Sequence, residues 1–225
     1  MRRKSLLLLL IFCILIFSLA SCKEKDREYV ESEVVAAAES LIEKSLILNE
    51  IYWGAGIRYE MPEDEDAEVK GYLPADQEHL AELEKKYGIK DLETLKSKTR
   101  EVFSEQGYQW ILSSCLTNVT GDDEIVSYAR YYQSKTIEEI GTTDGLMVYT
   151  GAINIYKNTK SVEYIYTGMH VSDVEGQVIT VSLQVKTEGL DGKSTTRPFT
   201  VQLIEEASGW RLHGASYATH PTSAS

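Results

Sequence analysis

Histidine is the residue type in this sequence best suited to catalysis or metal binding, and the chain has four: His79, His170, His213 and His220. None belongs to a HExxH motif or to a paired His/Cys spacing, so the sequence predicts no metal site and no cofactor. His170 and His213 fall in predicted strands and could converge on one sheet face with Asp173. Chance placement is the commoner origin of such a pattern. We therefore predict no catalytic residue, and the sequence gives no positive reason to propose an enzyme.

The most specific motif in the sequence surrounds Cys22, and the chemistry that it suggests is modification of the cysteine thiol. Residues 2–4 are basic and residues 6–17 are uninterrupted apolar positions, a run of 12 that is too short to span a bilayer. Residues 19–22, Leu-Ala-Ser-Cys, resemble the bacterial lipobox, in which small side chains fit a peptidase cleft and the thiol takes up a diacylglyceryl group. We predict that residues 1–21 are a signal peptide and that Cys22 is lipidated. An ordinary signal peptide followed by an unrelated cysteine is the alternative.

Lipidation would place the protein at a membrane. Two or three acyl chains make a stable anchor, because each buried CH₂ contributes about 0.8 kcal/mol. Residues 22–31 then form the lipidated cysteine and a charged tether, which reaches at most about 30 Å when extended. The sequence thus predicts a lipoprotein on the extracytoplasmic face of a bacterial cell membrane, close to its surface.

The charge of the chain restricts its partners. The sequence has 23 basic and 35 acidic residues and a net charge of −12. Loss of the three basic residues at positions 2–4 with the signal peptide would change this to −15. A nucleic-acid partner is disfavoured, since phosphate binding depends on Lys and Arg. A partner steered over long range would carry a basic surface.

Acidic residues are concentrated between Glu60 and Glu68, where six carboxylates occur in nine positions. The alternating ligands, central glycine and closing glutamate of an EF-hand are absent, so a calcium loop is not predicted. A solvated loop is the simpler interpretation. The other is an acidic docking surface, for which the candidate partner-binding residues are Glu63, Asp64, Glu65 and Asp66.

Cysteine usage excludes an intramolecular disulfide in the mature chain. Cys13 would leave with the signal peptide and Cys22 would be lipidated, so Cys115 alone remains. Its neighbours are largely apolar. We therefore predict that Cys115 is a small buried side chain and not a nucleophile.

Apolar residues at helical spacing predict four helical segments, at residues 32–54, 76–87, 91–106 and 108–116. Ser32 and Asp91 are the expected N-caps of the first and third, and Gly54 and Gly107 their expected ends. The last segment is expected to be a short buried turn or two.

After residue 123 the apolar period changes from about 3.6 to 2, which indicates strands, around residues 145–149, 162–167, 179–185, 199–203 and 210–213. Turn residues separate the last four, and these strands predict an antiparallel meander. Trp210 is expected to be buried against the first helix. The sequence as a whole predicts an α+β fold, with N-terminal helices packed on a curved antiparallel meander in one domain at residues 32–218, and a flexible tail at residues 219–225.

This order of elements is similar to that of cystatin-like and NTF2-like domains. Residues 71–74 (Gly-Tyr-Leu-Pro), 91–96 (Asp-Leu-Glu-Thr-Leu-Lys) and 102–104 (Val-Phe-Ser) resemble the IseA-type family of exported inhibitors of cell-wall D,L-endopeptidases. The resemblance implies a cystatin-like fold and an acidic surface that faces the hydrolase. A lipid anchor would differ from the freely secreted members and would place inhibition at the membrane face of the wall.

Two classes of function remain open. One is a non-catalytic binding protein in the cell envelope, such as a wall-hydrolase inhibitor. The other is an NTF2-like protein that binds or converts a small molecule in a pocket of the sheet cone, for which His170 or His213 beside a carboxylate would be evidence. The 14 tyrosines, seven of them between Tyr128 and Tyr166, could bind sugar rings or a peptide, although strand formation is the simpler explanation of their number.

Overall fold

A computed structural model describes residues 28–61, 71–121, 124–134 and 145–214. The predicted lipidation residue Cys22 and the acidic candidates Glu63, Asp64, Glu65 and Asp66 lie outside these ranges. His220 and the tail at residues 219–225 lie outside them as well. The described residues form helices and antiparallel sheets in an α+β arrangement, as the sequence predicts.

The first helix, α1 (Glu31–Trp53), is the longest of the described elements at 23 residues. Its buried side chains recur every three or four positions and include Val34, Ala38, Leu41 and Leu48, which accounts for a single face turned to the core. Gly54 ends the helix as predicted. The predicted N-cap is wrong: α1 begins after Val30, which offers no side-chain cap, and Ser32 lies inside the helix.

The next two helices begin at the aspartates that the sequence suggests. Helix α2 (Gln77–Tyr87) begins after Asp76, whose carboxylate accepts a hydrogen bond from the His79 backbone N–H at 2.8 Å. Helix α3 (Leu92–Val102) begins after Asp91, which forms a capping box with Thr94. Such caps satisfy backbone N–H groups that have no partner inside the helix.

Helix α3 ends earlier than predicted, and α4 (Glu105–Cys115) follows after two residues. Phe103 adopts an extended backbone, is 1% exposed and bridges to Leu212 in the last strand. Ser104 then caps α4 by accepting from the Gly107 N–H at 3.3 Å. Gly107 therefore lies in the first turn of a helix and does not end one. The long-range pairing of Phe103 explains the break, because an extended residue cannot continue α3.

Nine strands occur in the described residues: β1 (Tyr72–Pro74), β2 (Val119–Gly121), β3 (Glu124–Ser127), β4 (Tyr131–Ser134), β5 (Gly145–Tyr149), β6 (Thr159–Glu175), β7 (Val178–Gly189), β8 (Ser194–Glu206) and β9 (Gly209–Leu212). The predicted meander is the four-stranded sheet β6-β7-β8-β9. The early strand β5 is present as predicted, but it lies in the centre of a separate sheet, β1-β5-β4. Strands β2 and β3 form a hairpin of their own.

The inner face of the four-stranded sheet is filled by apolar side chains. Six of them are at most 3% exposed and belong to one cluster with the buried face of α1: Ile179, Val181, Leu183, Val201, Leu203 and Leu212. The expectation for Trp210 is wrong, since its ring is half-buried at the edge of this cluster. Leu212, two residues on, takes the fully buried position.

None of the helices among the described residues combines the length and apolar composition that a membrane crossing requires.

Candidate binding site

The structure does not bring the two strand histidines together. His170 is exposed on β6, where Nδ1 lies 2.9 Å from the Gly168 carbonyl oxygen. His213 follows β9, and its Nδ1 lies 3.1 Å from Ser104 Oγ. Strands β6 and β9 are opposite edges of the sheet, three strand spacings or about 14 Å apart. The possible convergence of these histidines with Asp173 therefore does not occur.

No group of three or more His, Cys, Asp or Glu residues suited to a metal ion occurs in the part of the chain that the structure describes. Cys115 is 3% exposed, and its thiol donates to the Tyr52 carbonyl oxygen at 3.9 Å. Burial raises the pKa of this thiol to about 12. The prediction that Cys115 is a small buried side chain is confirmed, and a thiol of this pKa is not a ready nucleophile at neutral pH.

A cleft of about 520 Å³ opens where the end of α1 meets α4 and the segment after β5. It contains no residue of the four-stranded sheet, so it is separate from the sheet interior. Its walls come from five segments of the chain: Tyr52 and Trp53; Ser114 and Cys115; Ser127, Tyr128 and Arg130; Tyr149; and Gly151, Ala152, Ile153 and Ile155.

The floor of this cleft is the C-terminus of α1, whose last carbonyl groups need donors from elsewhere. The carbonyl oxygens of residues 51–54 each accept a hydrogen bond from a residue far along the chain. The Tyr131 hydroxyl donates to the Ile51 oxygen, and the Ile155 N–H donates to the Trp53 oxygen. The Arg130 guanidinium donates to the oxygens of both Tyr52 and Gly54. The last turn of α1 contains no basic residue of its own. Arg130 supplies the positive charge that stabilises the negative end of the helix.

Arg130 is 7% exposed and approaches this backbone closely. Its Nη1 lies 2.5 Å from the Tyr52 oxygen and its Nη2 lies 2.6 Å from the Gly54 oxygen. Gly56 makes room for it: at φ +80°, a Cβ on Gly56 would lie 2.6 Å from Arg130 Nη2 and 2.7 Å from the Tyr131 hydroxyl. A glycine is thus required here both for its backbone conformation and for its lack of a side chain.

Two N–H groups of residues that line the cleft are buried and have no hydrogen-bond partner in the described part of the chain. They are Nε of Arg130 and Nε1 of Trp53. Among the ion pairs of the described residues, none includes Arg130. Its guanidinium contacts backbone carbonyls and lies 5.9 Å from the ring centre of Tyr131. The cleft therefore contains a buried cation that has no carboxylate partner among the residues that the structure describes.

Aromatic rings form the rest of the site. Trp53 packs on Trp110 with ring centres 5.1 Å apart. Beside the cleft, Tyr72, Tyr128, Tyr132 and Tyr149 form a cluster that we call the tyrosine patch. Tyr128 and Tyr149 are stacked at 4.8 Å, and Tyr72 lies 5.5 Å from Tyr149 and 5.7 Å from Tyr132. Tyr128 is 44% exposed and Tyr132 is 52% exposed, so the patch faces solvent.

A hydrogen bond from the Tyr72 side chain to the backbone of Ala129 anchors the tyrosine patch. The Tyr72 hydroxyl donates to the Ala129 carbonyl oxygen at 2.7 Å, and partial burial raises the pKa of this hydroxyl. Since Ala129 precedes Arg130, this bond joins strand β1 to the segment that carries the buried arginine.

Comparison of the chain with protein-family models gives no match, and comparison with curated proteins gives no significant similarity.

Sequence reasoning missed Arg130 and Trp53 as site residues. A signal was present in residues 127–132, Ser-Tyr-Ala-Arg-Tyr-Tyr, where a single arginine stands among aromatic and small residues. Charged residues are seldom fully buried unless they are paired. A lone arginine in such a segment is therefore a candidate for a binding site.

Proposed function

We propose that this protein is a non-catalytic binding protein, lipid-anchored through Cys22 on the extracytoplasmic face of a bacterial membrane, that holds a partner protein at the tyrosine patch. The observation that carries the proposal is the exposure of an ordered aromatic cluster, with Tyr128 44% and Tyr132 52% accessible. Tyrosine is enriched in protein interfaces, where a large and rigid ring is immobilised at little entropic cost.

The order within the patch supports this role. Tyr72 contacts the rings of Tyr128, Tyr132 and Tyr149, with centres 5.5 to 6.1 Å apart. These contacts restrict the rings before any partner arrives, which lowers the entropy lost on binding. Ile153, 77% exposed in the wall of the adjoining cleft, adds apolar surface next to the patch.

The partner that we propose is a cell-wall D,L-endopeptidase, which the protein would inhibit. The proposal rests on the resemblance to the IseA-type inhibitors and on the net charge of −12, which favours a partner with a basic surface. Glu63, Asp64, Glu65 and Asp66 precede Tyr72 by only six to nine positions. The acidic segment is therefore close in the chain to the first tyrosine of the patch.

A cystatin-like or NTF2-like fold is part of the same proposal. Its support is the long helix α1 against the meander β6-β7-β8-β9. In this meander, apolar side chains such as Val181 and Leu203 fill the inner face. The filled face favours binding of a partner at the exterior over the alternative of a small-molecule pocket in the sheet cone.

The test measures binding of the mature protein, in detergent micelles, to a purified cell-wall D,L-endopeptidase, together with inhibition of that enzyme. We expect the double substitution Tyr128→Ser and Tyr132→Ser to weaken binding about 10-fold or more, because both rings lie at the centre of the proposed interface. Tyr29→Ser is the matched control, since Tyr29 is 38% exposed and lies before α1, outside the patch. It should bind like the unaltered protein.

A second arm tests the acidic segment. Substitution of Glu63, Asp64, Glu65 and Asp66 with Ser or Asn should lower the association rate at low salt and reduce its dependence on ionic strength. Inhibition that persists with all four changes at ~0.5 M salt removes these residues from the mechanism, because the Debye length is then only a few Å. If the protein binds no such hydrolase, the inhibitor assignment is wrong.

A further inference from the structure

Helix α1 separates two ends of the molecule. It spans Glu31–Trp53, and its 23 residues make a rod of about 34 Å. Residues 22–30 connect the start of this rod to Cys22. We call the end of the domain around Tyr29 and Glu31 the anchor end, and the end around Trp53 and the tyrosine patch the binding end.

The tyrosine patch is fixed to the last turn of α1. Strand β4 carries one of its rings, Tyr132, and the preceding residue Tyr131 donates from its hydroxyl to the Ile51 carbonyl oxygen at 2.5 Å. Two other rings of the patch, Tyr128 and Tyr149, line the cleft that the end of α1 helps to form. The patch therefore lies at the far end of the helix from Cys22.

The anchor end is built from other parts of the chain. The Glu31 carboxylate accepts a hydrogen bond from the Val171 N–H at 3.0 Å, which joins the first turn of α1 to β6. Six residues surround one surface groove at this end: Glu28, Tyr29, Val30, Glu33, Glu205 and Trp210. None of the six belongs to the tyrosine patch.

Helix α1 is also held against the rest of the domain between its two ends. The Tyr166 hydroxyl of β6 donates to the Glu43 carboxylate at 2.5 Å in the middle of the helix. The buried face of α1 belongs to the same apolar cluster as the inner face of the four-stranded sheet. The two ends of the domain therefore keep a fixed separation of about 34 Å, to which residues 22–30 add at most about 30 Å.

Charge determines how such a domain stands on a membrane. Three carboxylates, those of Glu28, Glu33 and Glu205, line the groove at the anchor end, and the whole chain has a net charge of −12. An anionic lipid surface repels such a domain within about one Debye length, roughly 8 Å at physiological ionic strength. Repulsion disfavours a domain that lies along the bilayer, and the connection to Cys22 keeps the anchor end nearer to it.

We propose that α1 is a spacer that carries the tyrosine patch about 35 to 65 Å from the bilayer and directs it away from the lipid. The partner that fits a surface placed in this way is a protein of the envelope space outside the membrane. A lipid surface, or a membrane-embedded protein with short loops, would not reach it. The inference rests on the proposed anchor at Cys22, and it adds to the proposed function the location that a partner must have.

The test measures energy transfer from a dye on the protein to a labelled lipid. The acylated mature protein is incorporated into vesicles of phosphatidylethanolamine and phosphatidylglycerol that contain a rhodamine-labelled phosphatidylethanolamine as acceptor. A maleimide dye is attached through Tyr29→Cys or Tyr132→Cys, a matched pair of positions that are 38% and 52% exposed. Cys115 does not compete for the dye, because it is 3% exposed and burial raises the pKa of its thiol to about 12.

The two labelled positions should differ clearly in transfer efficiency. Because they are separated by about the length of α1, we expect transfer from the dye at Tyr29→Cys to be at least about twofold that from the dye at Tyr132→Cys. If Tyr132→Cys fails to fold, Ile153→Cys takes its place, since Ile153 is 77% exposed beside the patch. The control is the same pair of labelled proteins with Cys22→Ser, which should show no transfer.

Two results would overturn the proposal, for different reasons. Transfer from Tyr132→Cys that equals or exceeds that from Tyr29→Cys would place the patch against the lipid, and the anchor at Cys22 would stand without the spacer. Transfer that persists with Cys22→Ser would overturn the lipid anchor and the spacer together. The measurement uses no hydrolase, so the inhibitor assignment is decided separately by the binding experiment above.

Discussion

The Tyr52 hydroxyl donates a hydrogen bond to Thr99 Oγ1 over 2.8 Å, and this bond joins α1 to α3 inside the core. The direction follows from the other bond of Thr99, whose hydroxyl donates to the Leu95 carbonyl oxygen at 2.8 Å. Tyr52 is 1% exposed and Thr99 is 0% exposed. Desolvation raises the pKa of Tyr52, so its hydroxyl stays a donor at any physiological pH.

Because Tyr52 is the donor in this hydrogen bond, substitutions of Tyr52 and Thr99 should lower the free energy of unfolding by different amounts. Thr99→Val leaves the Tyr52 hydroxyl buried without an acceptor and should lower the free energy of unfolding by about 1–3 kcal/mol. Tyr52→Phe leaves Thr99 its bond to Leu95 and should cost about 1 kcal/mol. The double variant should be less destabilised than the sum, which urea unfolding of all four proteins would measure. Additive effects would contradict the bond.

Gly56 and Gly192 allow the steric role of Gly56 to be tested by comparison, since both have left-handed backbones with φ angles of +80° and +77°. A Cβ at Gly192 meets nothing within 4 Å, so Gly192→Ala should cost only the left-handed strain of about 1–2 kcal/mol. A Cβ at Gly56, in contrast, would lie 2.6 Å from Arg130 Nη2. Gly56→Ala should therefore be clearly more destabilising in urea unfolding. Equal effects would show that Arg130 does not occupy this position beside the end of α1.

The pH dependence of stability should depend in part on His79. Its Nδ1 accepts the Arg58 backbone N–H at 2.9 Å, and burial followed by the Arg58 charge lowers its pKa from about 6.5, against the opposing effect of Glu82 and Asp76. The unfolded chain then binds a proton more readily than the folded one. The stability contributed by neutral His79 is present above pH 6.5 and is lost as the pH falls through the folded pKa.

His79→Asn tests this dependence, because its amide oxygen can accept the Arg58 N–H and does not titrate. We expect the variant to lose less unfolding free energy than the original protein between pH 7.5 and pH 5, by urea unfolding at each pH. Parallel curves for the two proteins would mean that His79 does not contribute.

Lipidation is tested at Cys22. Cys22→Ser removes the thiol that would accept the diacylglyceryl group, so the protein should leave the membrane fraction of a bacterial host. The comparison is fractionation after a carbonate wash, with Cys115→Ser as the control cysteine variant, which should stay in the membrane. Retention of Cys22→Ser in the membrane would exclude the lipid anchor.

Much of the secondary structure could be predicted from neighbouring residues. Asp91 and Thr94 are three positions apart and form their capping box within one helical turn. Gly54 ends α1, and strands β6 to β9 follow the alternation of apolar residues. These features depend on local backbone preferences and on side-chain periodicity, which a sequence contains directly.

Tertiary contacts decided the rest. The predicted helix at residues 91–106 breaks because Phe103 pairs with Leu212, and β5 joins β1 and β4 instead of the meander. The cleft depends on the same kind of contact: Arg130 is 78 positions from Tyr52, whose carbonyl it binds. Hydrogen bonds between segments so far apart depend on how the whole chain packs. The sequence thus determined the first two helices, the meander and a candidate lipidation site, whereas only the tertiary structure divided the third predicted helix and placed a buried arginine among aromatic walls.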